Sequence, residues 1–285
     1  MSRRFKAACV QPNAGREIGP NVDWAAGRVR EVRDAGADIV FLPENVSMME
    51  FGRKRILGKA PPEDSHPALA AFRDLARETG VWLAVGSLTV GVEPEKVANR
   101  GYVIAPDGGI AARYDKIHMF DVDLDGGESY RESAIYRPGA TAVLAETPWG
   151  RLGLSICYDL RFPYLYRALA HAGAEVLAVP AAFTRQTGRA HWHVLLRARA
   201  IETGCFVVAA AQCGTHATGR ETFGHSLIVA PWGEVLADGG EEPGTILAEI
   251  DLDRVAEARA KIPALTHDRA VTVRTGSAPA DQAAG

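Results

Sequence analysis

Two successive runs of short apolar strands alternating with helical stretches predict an α/β fold. The expected form is a four-layer α-β-β-α sandwich, two stacked mixed sheets flanked by helices. Three observations carry this. The strand candidates are nearly continuous apolar runs, as strands buried on both faces are. The segments between them place apolar residues three and four apart, the period of a helix with one covered face. The order of elements then recurs in the second half, a pseudo-repeat of weak sequence similarity.

Residues 5–10 are the first strand, and residues 21–35 a helix with Val22, Ala25, Val29 and Val32 along one face. Residues 38–43 form the next strand, stopped by Pro43, and 67–79 a helix ended by Gly80. Residues 81–90 and 101–105 read as neighbouring strands, followed by the turn sequence Pro106-Asp107-Gly108-Gly109. In the second half, strands at 153–157, 174–180 and 205–211 alternate with helices at 163–172 and 189–203. Residues 225–230 and 245–250 close the sheet region. Residues 1–272 read as a single domain, because no linker divides them, and 273–285 as a small, polar, disordered tail.

The 35 acidic and 32 basic side chains nearly cancel, leaving a formal charge of −3 and giving no reason to expect a nucleic-acid or membrane partner. No apolar stretch follows the basic residues at the amino terminus, so no signal peptide is expected, and no run approaches the roughly 20 residues of a membrane helix. Four sparse cysteines (Cys9, Cys157, Cys205 and Cys213) lack metal-ligand spacing and fit reduced thiols in the cytoplasm.

Cys157 ends an apolar run and is followed at once by polar residues and a helix start, which places a thiol at the rim of a sheet, where open α/β folds hold their chemistry. On position alone, a packed core thiol is the commoner outcome. A working thiol needs a base or a positive field, since only the thiolate attacks. His118, His191, His193 and His225 lie near element ends, so a Cys-His pair stays open, although each also reads as a hydrogen-bonded structural residue. Glu44 follows a buried strand at the level of Cys157, or is a solvated turn residue. Lys116 sits in a charged segment with interleaved aromatics, or in an ion-paired loop.

Taken together, Phe41-Leu42-Pro43-Glu44-Asn45, Tyr114-Asp115-Lys116-Ile117-His118 and Ile156-Cys157-Tyr158-Asp159-Leu160-Arg161-Phe162-Pro163 resemble the signatures of the nitrilase superfamily of carbon–nitrogen hydrolases. The resemblance runs from Cys9-Val10-Gln11 to about Arg269. It implies a nitrilase-like sandwich and an amidase with no cofactor and no metal. Cys157 would be the nucleophile, forming a thioester, and Glu44 the general base, for which desolvation must raise the carboxylate pKa toward that of the thiol. Lys116, with the backbone N–H of Tyr158, would stabilise the oxyanion. Glu132, in Tyr130-Arg131-Glu132-Ser133, would orient the lysine.

Within the superfamily, Ala190-His191-Trp192, residues 194–203, Gly224-His225-Ser226 and Pro231-Trp232-Gly233 resemble the Nit branch of amidases. Its substrates are amides of 2-oxo dicarboxylic acids, so a small carboxylate-bearing amide is implied. The stretches at 209–214 and 262–269 resemble the members that act on deaminated glutathione more than those that act on 2-oxoglutaramate, and this resemblance implies the former substrate. Arg161 is the expected carboxylate clamp, with pairing to Asp159 as its structural alternative. Phe183, Thr184 and Tyr158 are expected to bind substrate. Two positions depart from the family, with His193 where glutamate is usual and Ala230 where aspartate is usual. A homo-oligomer, a dimer or larger, is also implied, while a metabolite-binding protein on the same scaffold remains the non-enzymatic alternative.

Overall fold

The computed structural model describes residues 3–124 and 129–275. Residues 273–275 have no regular structure, and the remainder of the expected tail lies outside the described residues. The first half runs β1 (Arg4–Gln11), α1 (Ile18–Asp34), β2 (Ile39–Leu42), α2 (Arg53–Lys59), α3 (Pro67–Thr79), β3 (Trp82–Glu93), β4 (Lys96–Ile104) and β5 (Ile110–Asp115). A small hairpin, β6 (Asp121–Asp123) with β7 (Ser129–Arg131), follows. The second half runs β8 (Leu144–Glu146), β9 (Arg151–Leu154), α4 (Pro163–His171), β10 (Val176–Ala178), α5 (Arg185–Thr203) and β11 (Phe206–Ala209). A second hairpin, β12 (Cys213–Thr215) with β13 (Glu221–Phe223), precedes β14 (Leu227–Val229), β15 (Val235–Asp238), β16 (Gly244–Asp251) and α6 (Asp253–Lys261).

Two six-stranded sheets result, ordered β16-β1-β2-β3-β4-β5 and β15-β14-β11-β10-β9-β8. Each has three parallel strands at its centre, β1-β2-β3 or β9-β10-β11, and antiparallel strands on either side. The pseudo-repeat is therefore plain in topology. One exchange crosses it: β16, from the second half, pairs antiparallel with β1 along its whole length, from Arg4 opposite Asp251 to Gln11 opposite Gly244.

Strand alternation sorts the side chains into layers. Ala7, Cys9, Ile39, Phe41 and Val103 join the core shared with the second sheet, while Ala8, Val10, Val40, Leu42 and Val85 pack under α1 and α3. Helices α4 and α5 cover the other face of the second sheet. Helix α3 keeps its expected limits, with Pro67 in its first turn and Gly80 left-handed at φ 72° as its stop.

Strand β3 carries the irregularity that positions the site. Its register against β4 slips between Val85 and Leu88, so that Gly86 and Ser87 bulge from the ladder. The freed groups hold the turn after β2. Ser87 N–H donates to Pro43 O (3.3 Å), Ser87 O accepts from Val46 N–H (3.3 Å), and Ser87 Oγ accepts from Asn45 N–H (2.9 Å). The bulge needs glycine, because a Cβ at Gly86 would lie 2.1 Å from Leu42 O and 2.4 Å from Pro180 Cβ. Both of those residues are backbone neighbours of the site, so neither can give way cheaply. Gly86→Ala is expected to destabilise the fold by about 3 kcal/mol or more, at the upper end of overpacking effects. Urea unfolding midpoints measure this, and an unchanged midpoint would contradict the packing argument.

Candidate active site

Four strand ends converge on one cavity of about 250 Å³. Strand β2 delivers Glu44, β5 delivers Lys116, β9 leads to Cys157, and the segment after β10 supplies Ala182, Phe183 and Thr184. Glu132 arrives from the turn after β7. All eight residues expected at the site (Glu44, Lys116, Glu132, Cys157, Tyr158, Arg161, Phe183 and Thr184) line this cavity.

The expected strand at 153–157 stops earlier, at Leu154. Asp159 is the cause: its Oδ2 accepts from Ile156 N–H (2.8 Å), drawing the chain off the ladder into a single 3-10 turn that starts at Cys157. Cys157 takes φ 52°, in the left-handed region that non-glycine residues rarely occupy, while its N–H is held by Pro180 O at 2.8 Å. Asn45, beside Glu44, is left-handed too, at φ 55°. Such conformations cluster at functional sites because surrounding structure must over-determine them.

Lys116 is the centre of the charge arrangement. It is 2% exposed, and its Nζ donates to Glu44 Oε1 (3.1 Å) and to Glu132 Oε1 and Oε2 (2.9 and 2.8 Å). Glu132 Oε2 also accepts from Phe120 N–H (2.6 Å). Glu44 Oε1 accepts a further bond from Asn99 Nδ2 (2.8 Å), and Glu44 Oε2 one from Ala182 N–H (2.9 Å). The Cys157 thiol and the Glu44 carboxylate line the same cavity and act on each other's charge.

Burial pushes the Cys157 thiol up, the Glu44 charge pushes it further, and Lys116 only partly opposes them. For Lys116, burial favours the neutral amine, but Glu132 and then Glu44 outweigh it and hold the ammonium charged. Glu44 corrects an expectation. Burial does push its pKa up, as the sequence argument required, but Lys116, the Cys157 thiol and Arg220 outweigh that push and hold it below the ordinary carboxylate value. The resting pair is thus a neutral thiol beside an ionised carboxylate. Such a pair can deliver a thiolate if the proton moves as the sulfur attacks.

No histidine lines the cavity among the described residues, so the Cys-His alternative falls away. His118 Nδ1 lies 2.6 Å from Asp159 Oδ1, and its ring stacks on Phe162 at 3.6 Å. Asp159 also accepts from Tyr114 Oη (2.7 Å) and His118 N–H (3.0 Å), while Arg161 reaches His191 Nδ1 (3.2 Å) and lies over the Phe183 ring. The alternative pairing of Arg161 with Asp159 is therefore not what forms. His193 and Ala230, the two departures, lie outside the cavity lining. His193 Nε2 and His225 Nδ1 both approach Asp238 (2.9 and 2.8 Å), and these three side chains bring ligand atoms within 4.8 Å of one another, a grouping able to hold a metal ion.

These strand ends, and the lysine bridging two glutamates beside a thiol, sit in a sequence that matches the carbon-nitrogen hydrolase family model over residues 6–260. The chain belongs to the carbon–nitrogen hydrolase family. It is an amide-hydrolysing enzyme of nitrilase fold. A protein from Yersinia enterocolitica named deaminated glutathione amidase is 38% identical over 273 residues, covering 95% of each chain. The crystal structure of the C. elegans NitFhit protein, a nitrilase and fragile histidine triad fusion, matches with a TM-score of 0.87 at 36% identity. That match covers 94% of this chain, which spans only 66% of the fusion. An amidase from Nesterenkonia sp. AN1, solved with acrylamide added to its active-site cysteine, matches with a TM-score of 0.77 at 26% identity, covering 91% of this hydrolase and 98% of its own chain.

Three contributors to the hydrolase's site gave no signal in the sequence. Asn99 is the one fully buried polar residue of β4 and bonds Glu44 from behind the lining, Ala182 acts through its backbone, and Arg220 lies in a polar hairpin turn.

Lys116→Met leaves Glu44 and Glu132 buried without their countercharge, at an expected loss of about 3–5 kcal/mol at pH 7. Without the lysine, burial raises the folded Glu44 pKa above its unfolded value, so the variant regains stability as the pH falls through that window. In the parent, Glu44 is depressed, so its contribution persists down to its unfolded pKa and fades only below it. The gap between the two should therefore narrow from pH 7 toward about pH 5. Thermal unfolding across that range measures it, and a constant gap would contradict the assignment of charges.

Proposed function

We propose that this hydrolase cleaves deaminated glutathione to 2-oxoglutarate and Cys-Gly through a thioester on Cys157. The observation that carries the reading is the ionised Glu44, accepting from Lys116 and sharing with the Cys157 thiol a cavity that also holds Arg161. Support for the substrate comes from relatives named deaminated glutathione amidase.

Arg161 binds the carboxylate of the 2-oxo acid, its planar fork matching two oxygens, and the Phe183 ring and Thr184 flank the acyl chain. Cys157 Sγ attacks the amide carbon while Glu44 takes the thiol proton. The carbonyl oxygen becomes an oxyanion facing Lys116 Nζ and the Tyr158 N–H. Collapse breaks the C–N bond, and Glu44 hands its proton to the departing amine. Water then attacks the thioester, with Glu44 accepting its proton. The acid leaves and the proton returns to sulfur, so Glu44 ends each cycle ionised. A depressed Glu44 is a weak base for a thiol, so the first step depends on the oxyanion site stabilising charge as it develops.

The apolar surface formed by Ile201, Trp232 and Ile262, with Val194 one heptad before Ile201 on α5, is proposed as the face of a homodimer. The four buried free cysteines fit a reducing compartment such as the cytoplasm.

The reading is tested by measuring kcat/KM for deaminated glutathione and for 2-oxoglutaramate through the 2-oxoglutarate that both release. A preference for the former of about tenfold or more is expected, and the reverse preference would sink the substrate. Cys157→Ala should abolish turnover with circular dichroism unchanged, and Glu44→Gln should lower kcat by about 10²–10⁴-fold. Surviving activity in Cys157→Ala would refute the mechanism. In sedimentation, the parent should run as a dimer and Ile201→Asp should shift toward monomer; a monomeric parent would contradict the interface.

A further inference from the structure

Among the described residues that line it, the cavity carries more positive charge than carboxylates neutralise. Glu44 and Glu132 are committed to Lys116, and Glu50 to Lys59 (3.2 Å) and Arg55 (3.2 Å). Three arginines line the cavity. Arg131 forms a two-pronged bond to Asp123 (2.8 and 2.9 Å), whereas neither Arg161 nor Arg220 forms an ion pair among the described residues. Recognition of one acyl carboxylate uses one guanidinium, Arg161. Arg220 is left over.

Arg220 is placed with care. It ends the turn between β12 and β13, which is fixed by His216, a buried ring bonded to Ala14 O (2.9 Å) and Thr222 Oγ1 (2.7 Å). His216 N–H donates to Arg220 O (2.9 Å), closing the turn. The guanidinium lies 5.3 Å from the Tyr130 ring centre and 5.7 Å from that of Phe51, and one Nη donates to Ala182 O. Its Nε is buried with no hydrogen-bond partner. A guanidinium set against two aromatic rings, with no carboxylate partner among the described residues and a donor left unsatisfied, suits an anion, and a missing partner there is unfavourable.

The side of the cavity identifies which anion. Ala182 holds Arg220 through its carbonyl and Glu44 through its N–H, so one peptide residue links the second arginine to the carboxylate that protonates the leaving amine. Arg161 instead leaves the 3-10 turn of Cys157 and lies over Phe183. The leaving group must approach Glu44 to receive its proton, and an extension of that group reaches the Arg220 side.

We infer that Arg220 is a second carboxylate site, which binds the terminal carboxylate of a leaving group that is itself an amino acid or short peptide. This rests on the amidase reading above and deepens it: the enzyme selects amides charged at both ends, and Arg161 and Arg220 each hold one end. Deaminated glutathione has this form, since its Cys-Gly portion ends in a carboxylate, whereas the leaving group of 2-oxoglutaramate is ammonia alone.

The test compares the parent, Arg220→Met and Arg220→Lys on three substrates: deaminated glutathione, its analogue with the glycine carboxylate converted to an amide, and 2-oxoglutaramate. In the parent, blocking the carboxylate should lower kcat/KM about tenfold or more, chiefly through KM. In Arg220→Met, the ratio of kcat/KM for deaminated glutathione to that for 2-oxoglutaramate should fall by about the same factor. The variant should also no longer distinguish the free from the blocked carboxylate, a coupling that a merely structural role would not produce. Arg220→Lys should recover part of the ratio by charge without the fork. Equal losses on both substrates, or continued discrimination against the blocked analogue in Arg220→Met, would overturn the inference while leaving the amidase reading intact. A parent that hydrolyses 2-oxoglutaramate but not deaminated glutathione would overturn the substrate reading as well.

Discussion

A lysine ammonium held out of water between two glutamates is the interaction on which the rest of the site depends. Lys116 is fully enclosed, and taking three charges out of solvent is unfavourable by several kcal/mol each unless the geometry compensates. Compensation comes from every side. Glu132 meets the ammonium with both oxygens, Phe120 N–H holds Glu132, and Asn99 and Ala182 satisfy Glu44. The donors come from β4, from the segment after β10 and from the loop after β5, so the cluster forms only when both sheets have packed. The bulge of β3 at Gly86 and Ser87 belongs to the same construction, since it shapes the turn that presents Glu44.

This cluster also sets the state of the thiol. Glu44 is ionised because Lys116 is close, and Cys157 is neutral because it is buried beside that negative charge. A thiol activated by histidine rests as an ion pair. Here the resting thiol is uncharged, and nucleophilicity must develop along the reaction coordinate as charge passes from sulfur to the substrate oxygen. Lys116 opposes the cost of that passage, so in the proposed mechanism it is both the oxyanion partner and the reason its own base is weak.

The strands that carry most of the chemistry were legible because burial on both faces makes them continuous apolar runs: residues 38–43 before Glu44, and the run that ends at Cys157, although its strand proper stops at Leu154. Helix α3 was legible to the residue from Pro67 and Gly80. Strand β5 was not. It lies at a sheet edge, and Arg113 and Asp115 face outward to pair with Glu63 and Arg100, so its sequence reads as a charged loop although the residue that follows it, Lys116, enters the cavity. The return of β16 to the first sheet could not be read either, because strand pairing is a long-range choice that local pattern does not encode. Within the site, Glu44, Lys116 and Cys157 stand out by motif, whereas Asn99, Arg220 and the Ala182 peptide are recognisable only by what they touch. The direction of the Glu44 shift was missed for a similar reason. Burial was foreseeable from the sequence, but the 3.1 Å approach of Lys116 that overrides it was not.

The most direct test of this account is the protonation state of Cys157 in the resting enzyme. The ultraviolet thiolate absorbance of the parent minus that of Cys157→Ala, followed between about pH 6 and 9, isolates this thiol from the other buried cysteines. The account predicts no thiolate signal in that range. A thiolate present at neutral pH would mean a preformed ion pair at Cys157 and would contradict the carboxylate-coupled attack.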